Sequence, residues 1–129
     1  MKSLEQAENF LRIADHLAYV TYPLMKDGNL LKKILENLEA SLKNILEIQE
    51  KNKMEEEIQK LKNIDEEYKN LLSRLTEMFE KRESSSFEFL RRNKLVFMDN
   101  DLKLSEINLE ELKKYIQILK KILFDLKNR

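Results

Sequence analysis

Glu8, Arg12, Asp15 and Tyr19 recur at i, i+4, i+7 and i+11 and so fall along one strip of a helix. His16, the single histidine of the chain, lies beside them. A cation, an acid, an imidazole and a phenol within a few helical turns are the groups that proton transfer or anion binding draws on. Arg12, Asp15, His16 and Tyr19 are therefore the candidates for a small-ligand or enzymatic site on the first helix. The same spacing also describes a solvated helix face laced by i,i+4 pairs. Tyr19, Tyr22 and Pro23 add an aromatic patch at the end of this helix. A tyrosine brings apolar area with a polar tip, which suits either partner docking or covering the end of a bundle. The third constellation is Arg91-Arg92-Asn93-Lys94, the densest basic cluster, with Phe87 and Phe89 before it and Phe97 after it. Basic residues interleaved with aromatics can hold single-stranded RNA by phosphate contact and base stacking.

Other chemistries lack their residues. One His and no Cys cannot supply a zinc set, and no disulfide or thiol nucleophile exists. The Glu-x-x-His of di-metal bundles is missing, since Ile13 stands three residues before His16. The runs Glu55-Glu56-Glu57 and Glu66-Glu67 read as solvated faces. One glycine, Gly28, and one proline, Pro23, leave no Gly-rich phosphate loop. No catalytic residue, metal or cofactor is assigned. With 24 basic and 24 acidic residues the formal net charge is zero, which removes general attraction to nucleic acid or anionic membrane. No apolar run approaches the roughly 18 residues of a membrane span, and the start of the chain lacks a signal-peptide pattern. A cytoplasmic protein without membrane contact is expected.

The elements that must position these groups are helices. The 129 residues form one domain, 1–129, without internal repeats. Ser3 is the expected N-cap of the first helix, with Gln6 in the capping-box position. Leu4, Ala7, Leu11, Ala14, Ala18 and Thr21 form its stripe, Phe10, Ile13, Leu17 and Val20 widen it, and the alanines permit close approach by a neighbour. Pro23 should end or kink this helix at Tyr22, and Asp27-Gly28 should turn the chain. The second helix is expected over residues 29–51, with Leu31, Leu35, Leu38, Leu42 and Ile45 inward. A polar turn over 51–54, a short helix over 54–62 and a break at Asn63 follow. Asp65 should cap the next helix, which faces Tyr68, Leu71, Leu72, Leu75, Met78 and Phe79 inward. Ser84–Ser86 should end it and cap a short turn through Phe87, Phe89 and Leu90. The run Leu95-Val96-Phe97-Met98, the turn-prone Asp99-Asn100-Asp101 and the alternation Leu102-Lys103-Leu104 predict a β-hairpin. Asn108 should cap the last helix, whose stripe is Leu109, Leu112, Ile116, Leu119, Leu123 and Leu126.

Two resemblances add to this reading. Residues 14–24, Ala-Asp-His-Leu-Ala-Tyr-Val-Thr-Tyr-Pro-Leu, resemble the ADHL-x-YVTYPL segment of a small family of uncharacterised archaeal helical proteins, as do Phe87-Glu88-Phe89-Leu90-Arg91-Arg92 and the final helix. That resemblance implies an archaeal, cytoplasmic, helical protein and carries no activity. Arg92-Asn93 is similar to the start of the Arg-Asn-x-x-x-His motif of HEPN ribonucleases, but Phe97 stands at the histidine position.

The expected fold is therefore all-α: an up-down antiparallel bundle of about four main helices with one short β-hairpin before the last. The expected function is a non-catalytic protein–protein interaction module that presents surplus apolar helix surface to a protein partner or to itself as a homodimer. An RNA-binding or degenerate HEPN-like module using Arg91 and Arg92 is the alternative from another class. A site around Arg12, Asp15, His16, Tyr19 and Tyr22 is the third.

Overall fold

A computed structural model describes residues 2–50, 53–61 and 64–128. The turn expected over 51–54 lies partly outside these, and the break expected at Asn63 wholly so.

Periodic apolar stripes become helices where they were expected, with altered ends. The first, α1 (Lys2–His16), begins one residue ahead of Ser3, which is itself helical. The chain does not break at Pro23. It widens into a π-helical segment, Leu17–Thr21, in which Tyr22 N–H reaches back five residues to the Leu17 carbonyl. It then resumes as α2 (Tyr22–Met25). A proline in a regular α-helix presses its ring on the carbonyl four residues back, and a locally widened helix is one way to accommodate it. Lys26 closes α2 in the left-handed region at φ 52°. Gly28 has an ordinary helical φ of −59°. Its role is close approach, since a Cβ there would meet Leu90 Cδ1 at 3.0 Å.

Next come α3 (Asn29–Leu46), α4 (Met54–Gln59) and α5 (Glu66–Ser84). The expected second helix over 29–51 stops early, because Glu47 turns left-handed at φ 56° and the Ile48 N–H bonds back to Lys43. Asp65 stands at the N-cap of α5 but makes no side-chain capping bond; its carbonyl accepts the Tyr68 N–H. The final helix, α6 (Leu109–Lys127), is capped as expected, Asn108 Oδ1 accepting the Glu111 N–H at 2.9 Å.

Between α5 and α6 the all-α expectation fails. The structure holds a three-stranded antiparallel sheet in the order β1 (Phe87–Arg91), β2 (Lys94–Met98), β3 (Leu104–Asn108). The fold is thus mostly helical with a sheet, not an all-α bundle. The first arm of the expected hairpin is β2, but its second arm, expected over residues 102–104, starts only at Leu104 as β3; the expected turn through Phe87, Phe89 and Leu90 is the extra strand β1. Arg91 pairs with Lys94, so only Arg92 and Asn93 join β1 to β2. Arg92 takes φ 57° there, a conformation an arginine seldom signals.

The helices and one sheet face share a single core. Ala7, Ala14 and Ala18 of α1 and the π segment are fully buried, and α1 lies so close to α3 that Ser41 Oγ donates to the Ala7 carbonyl at 2.8 Å. Leu112, Ile116 and Leu119 of α6 close over α1 and α3. Leu95, Phe97 and Ile107, on the inner sheet face, join the same cluster. A polar clamp binds sheet to helices. Arg82 of α5 donates to both Glu88 oxygens, at 2.6 and 3.4 Å, while Lys32 of α3 reaches Glu88 at 3.4 Å and Glu36 lies 3.6 Å from Arg82. The Arg82 hydrogen bond holds the Glu88 carboxyl below the usual carboxylate range, against the opposing effect of burial.

That clamp fixes a pH dependence. A depressed folded pKa means that ionised Glu88 stabilises the fold above its unfolded pKa, and that this contribution disappears as pH falls through the folded pKa. Glu88→Gln should lose about 1–2 kcal/mol at neutral pH and little in acid. Urea melts of both proteins at about pH 7 and about pH 3 test this; an equal deficit at both would show that the charge does not matter.

Candidate functional site

The strip predicted on α1 divides between solvent and α6. Arg12 points along its own helix, 2.9 Å from Glu8 and 3.3 Å from Asn9, and is largely exposed. His16, the last residue of α1, is exposed. Asp15 turns toward α6 and pairs with Lys120 at 2.8 Å. Tyr19 also meets α6: its hydroxyl accepts a hydrogen bond from Gln117 Nε2 at 3.0 Å, and Lys113 Nζ lies 4.9 Å from its ring centre. Arg12 and His16 therefore do not join Asp15 and Tyr19.

Tyr22 and Arg92, from separate constellations, do meet at one cleft of about 550 Å³, lined also by Pro23, Lys26, Asn93 and Lys94. The buried Tyr22 hydroxyl donates to Asn93 Oδ1 at 3.4 Å. This bond links the first helical region to the strands, while Asp15 is taken by Lys120. Arg91 and Arg92 themselves are exposed at the end of β1 and in its turn.

Alternation sorts the sheet. Leu95, Phe97 and Ile107 face inward, so their strand neighbours face out. Three cross-strand rows result: Phe87, Met98 and Leu104; Phe89, Val96 and Glu106; Arg91, Lys94 and Asn108. The first two rows are apolar except for Glu106. Phe87 and Leu104 are 56% and 55% exposed, and the Phe87 and Phe89 rings lie 5.5 Å apart. Leu102, in the β2–β3 turn next to this face, is left-handed at φ 64° and 77% exposed. Phe97, grouped with Phe87 and Phe89 in the sequence, is on the opposite, buried face. Basic residues end this outer face at the β1–β2 turn. Asp99 and Asp101 end it at the other turn, where Asp99 Oδ1 accepts the N–H groups of Asp101 and Lys103.

A second surface was missed. The exposed side of α6, with Tyr19 on one flank and Tyr68 and Leu71 of α5 on the other, lines an open groove of about 1000 Å³. Its signal was present as Lys113-Lys114 and Lys120-Lys121, two pairs seven residues apart. Periodic lysines on an amphipathic helix ordinarily mark a solvated face, which is why the pattern passed unnoticed.

Among the described residues no three His, Cys, Asp or Glu side chains gather as a metal-ligand set, and no helix is long and apolar enough to cross a membrane. Compared with protein-family models, curated proteins and solved structures, the chain matches none.

The Asp15–Lys120 pair is partly solvated on both sides. Asp15→Ala should therefore cost no more than about 1 kcal/mol. Thermal melts check this; a loss of about 3 kcal/mol or more would place Asp15 in a buried network instead.

Proposed function

We propose that the protein is a non-catalytic protein–protein interaction module that docks through the outer face of its sheet, with a second copy as the partner. The observation that carries this reading is the contiguous patch of Phe87, Phe89, Met98 and Leu104 outside the core. Exposed apolar surface of this kind marks an interaction site more often than ordinary surface does. The charges at its ends favour self-pairing. A two-fold axis across the face sets Arg91 and Lys94 of one copy against Asp99 and Asp101 of the other, as an isologous contact requires. The sheet face measures roughly 15 by 17 Å, or roughly 250 Å². Even doubled by side-chain relief, that falls short of the ~800 Å² per partner of a standard stable interface. The dimer is accordingly a weak one. The resemblance of residues 14–24 to archaeal helical proteins supports reading it as an archaeal, cytoplasmic one.

Sedimentation velocity over a concentration series tests the reading. Reversible dimerisation with a Kd at or above the micromolar range is expected, and Phe87→Ser/Leu104→Ser should abolish it while leaving the helical signal intact. A strict monomer at the highest concentration overturns the self-association.

A second reading has its own observation. Phe87, Phe89 and Arg91 follow one another along the outer face of β1, two rings and a cation on a single track. A short single-stranded RNA could stack and pair its phosphates along it. Mobility shifts with single-stranded RNA at low salt, lost in Arg91→Ala/Arg92→Ala, separate the readings, because a face that only pairs with itself retains no RNA.

A further inference from the structure

The groove along α6 lies apart from the sheet patch and from the basic turn. Its geometry points to an acidic amphipathic helix of a partner protein as the occupant, and we propose that this groove is a second docking site for such a helix.

The argument begins with how the aromatic flanks are held. Gln117 donates to the Tyr19 hydroxyl, and Lys121 Nζ donates to the Tyr68 hydroxyl at 2.8 Å, so α6 fixes both rings. Lys113 sits 4.9 Å and Lys120 5.9 Å from the Tyr19 ring centre, and Lys121 sits at the hydroxyl end of Tyr68, 4.9 Å from its ring centre. A nucleobase would have to displace an ammonium from Tyr19 before it could stack there. An incoming carboxylate meets those ammoniums where they stand. Anionic side chains, not bases, fit the site.

Charge and spacing then narrow the occupant. Lys113 is paired with Glu110 at 3.7 Å, and Lys120 with Asp15. Lys114 and Lys121 have no carboxylate within ion-pair distance among the described residues, although Asp65 and Asp125 act on Lys121 and Glu111 interacts with Lys114 from farther away. The two open ammoniums, seven residues apart, stand about 10 Å apart along the helix. A helix lying alongside at a shallow crossing angle presents its own residues at the same seven-residue interval, so two of its acids can meet both lysines. One turn beyond Lys121, Phe124, 67% exposed, supplies an apolar anchor at the end of the groove. An aromatic anchor within a charged rim is the arrangement in which a few residues carry most of the binding.

The test uses the whole protein, isotope-labelled, with a designed helical peptide that carries Glu at seven-residue intervals beside a Leu stripe. The same peptide with Gln for Glu and an oligouridylate serve as comparison probes. Expected is a salt-sensitive interaction that shifts the resonances of Tyr19, Gln117 and Tyr68, and that weakens roughly tenfold in Lys114→Gln/Lys121→Gln. Phe124→Ser should weaken it as well. The lysine pair is exposed and outside the core, and the parent shift map decides the matter even if a variant misfolds. No groove shifts with the Glu peptide, equal binding of the Gln peptide, or groove shifts from the oligouridylate in preference to the peptide would each overturn the proposal. Because Phe87 and Leu104 are untouched, loss of the sheet-mediated dimer leaves this result unchanged, and the reverse also holds.

Discussion

The rest of the molecule depends on the contact between α1 and α3. Ala7, Ala14 and Ala18 remove side-chain bulk along one face, and the two backbones come within reach of a serine hydroxyl. That Ser41 bond matters because both of its partners are buried. An unsatisfied hydroxyl in that position would cost more than the bond itself contributes. With α1 and α3 so close, their combined surface forms a shallow trough, and α6 fills it with Leu112, Ile116 and Leu119. A larger residue at any of the three alanines would push α3 away and carry α6 with it, since packed interiors yield little.

Pro23 shapes what this framework displays. The π segment it accompanies leaves Tyr19 half-exposed toward α6 while Tyr22 turns inward toward the β1–β2 turn. In a regular helix residues three apart share a face. Here they diverge, so that one tyrosine belongs to the α6 groove and the other to the cleft beside Arg92. π-Helical turns are uncommon and concentrate at functional sites. This one stands between both candidate surfaces.

What could be read in advance follows from period. The stripes of α3, α5 and α6 repeat every 3.6 residues over four or five turns, so their buried faces were legible, as was the Asn108 cap. The ends of α1 and α3 were less so, because a left-handed glutamate at position 47 leaves no compositional mark. β1 was lost for two reasons. Five residues give too few alternations to distinguish a strand from a turn, and the turn that pairs it with β2 uses Arg92 where glycine or asparagine would have signalled a hairpin. Losing β1 also concealed the sheet face, since Phe87 and Phe89 gain a common orientation only once their strand exists. Of the site residues, Asp15, Tyr19, Tyr22 and Arg92 lie at surfaces of interest. Their partners, Lys120, Gln117 and Asn93, lie far along the chain, and no local pattern specifies such pairings.

The apolar excess that the helices carry is met only in part by the added sheet, since Ile13, Val20, Leu24, Met25 and Phe124 stay exposed. A bundle alone would leave broad helix faces without partners, but Leu95, Phe97 and Ile107 cover part of them. The cost moves to the other side of the sheet. A strand that buries one face must place its alternate residues on the other, and the described helices supply one layer of cover, not two. Polar residues there would have made the outer face inert. Instead Phe87, Met98 and Leu104 form a row, and Val96, in the next row, is 2% exposed. A residue so buried on an outer face shows that the side chains around it already pack together before any partner arrives. Preorganised apolar surface of that kind loses little conformational entropy on association, which is why a patch of modest area can serve as a contact at all.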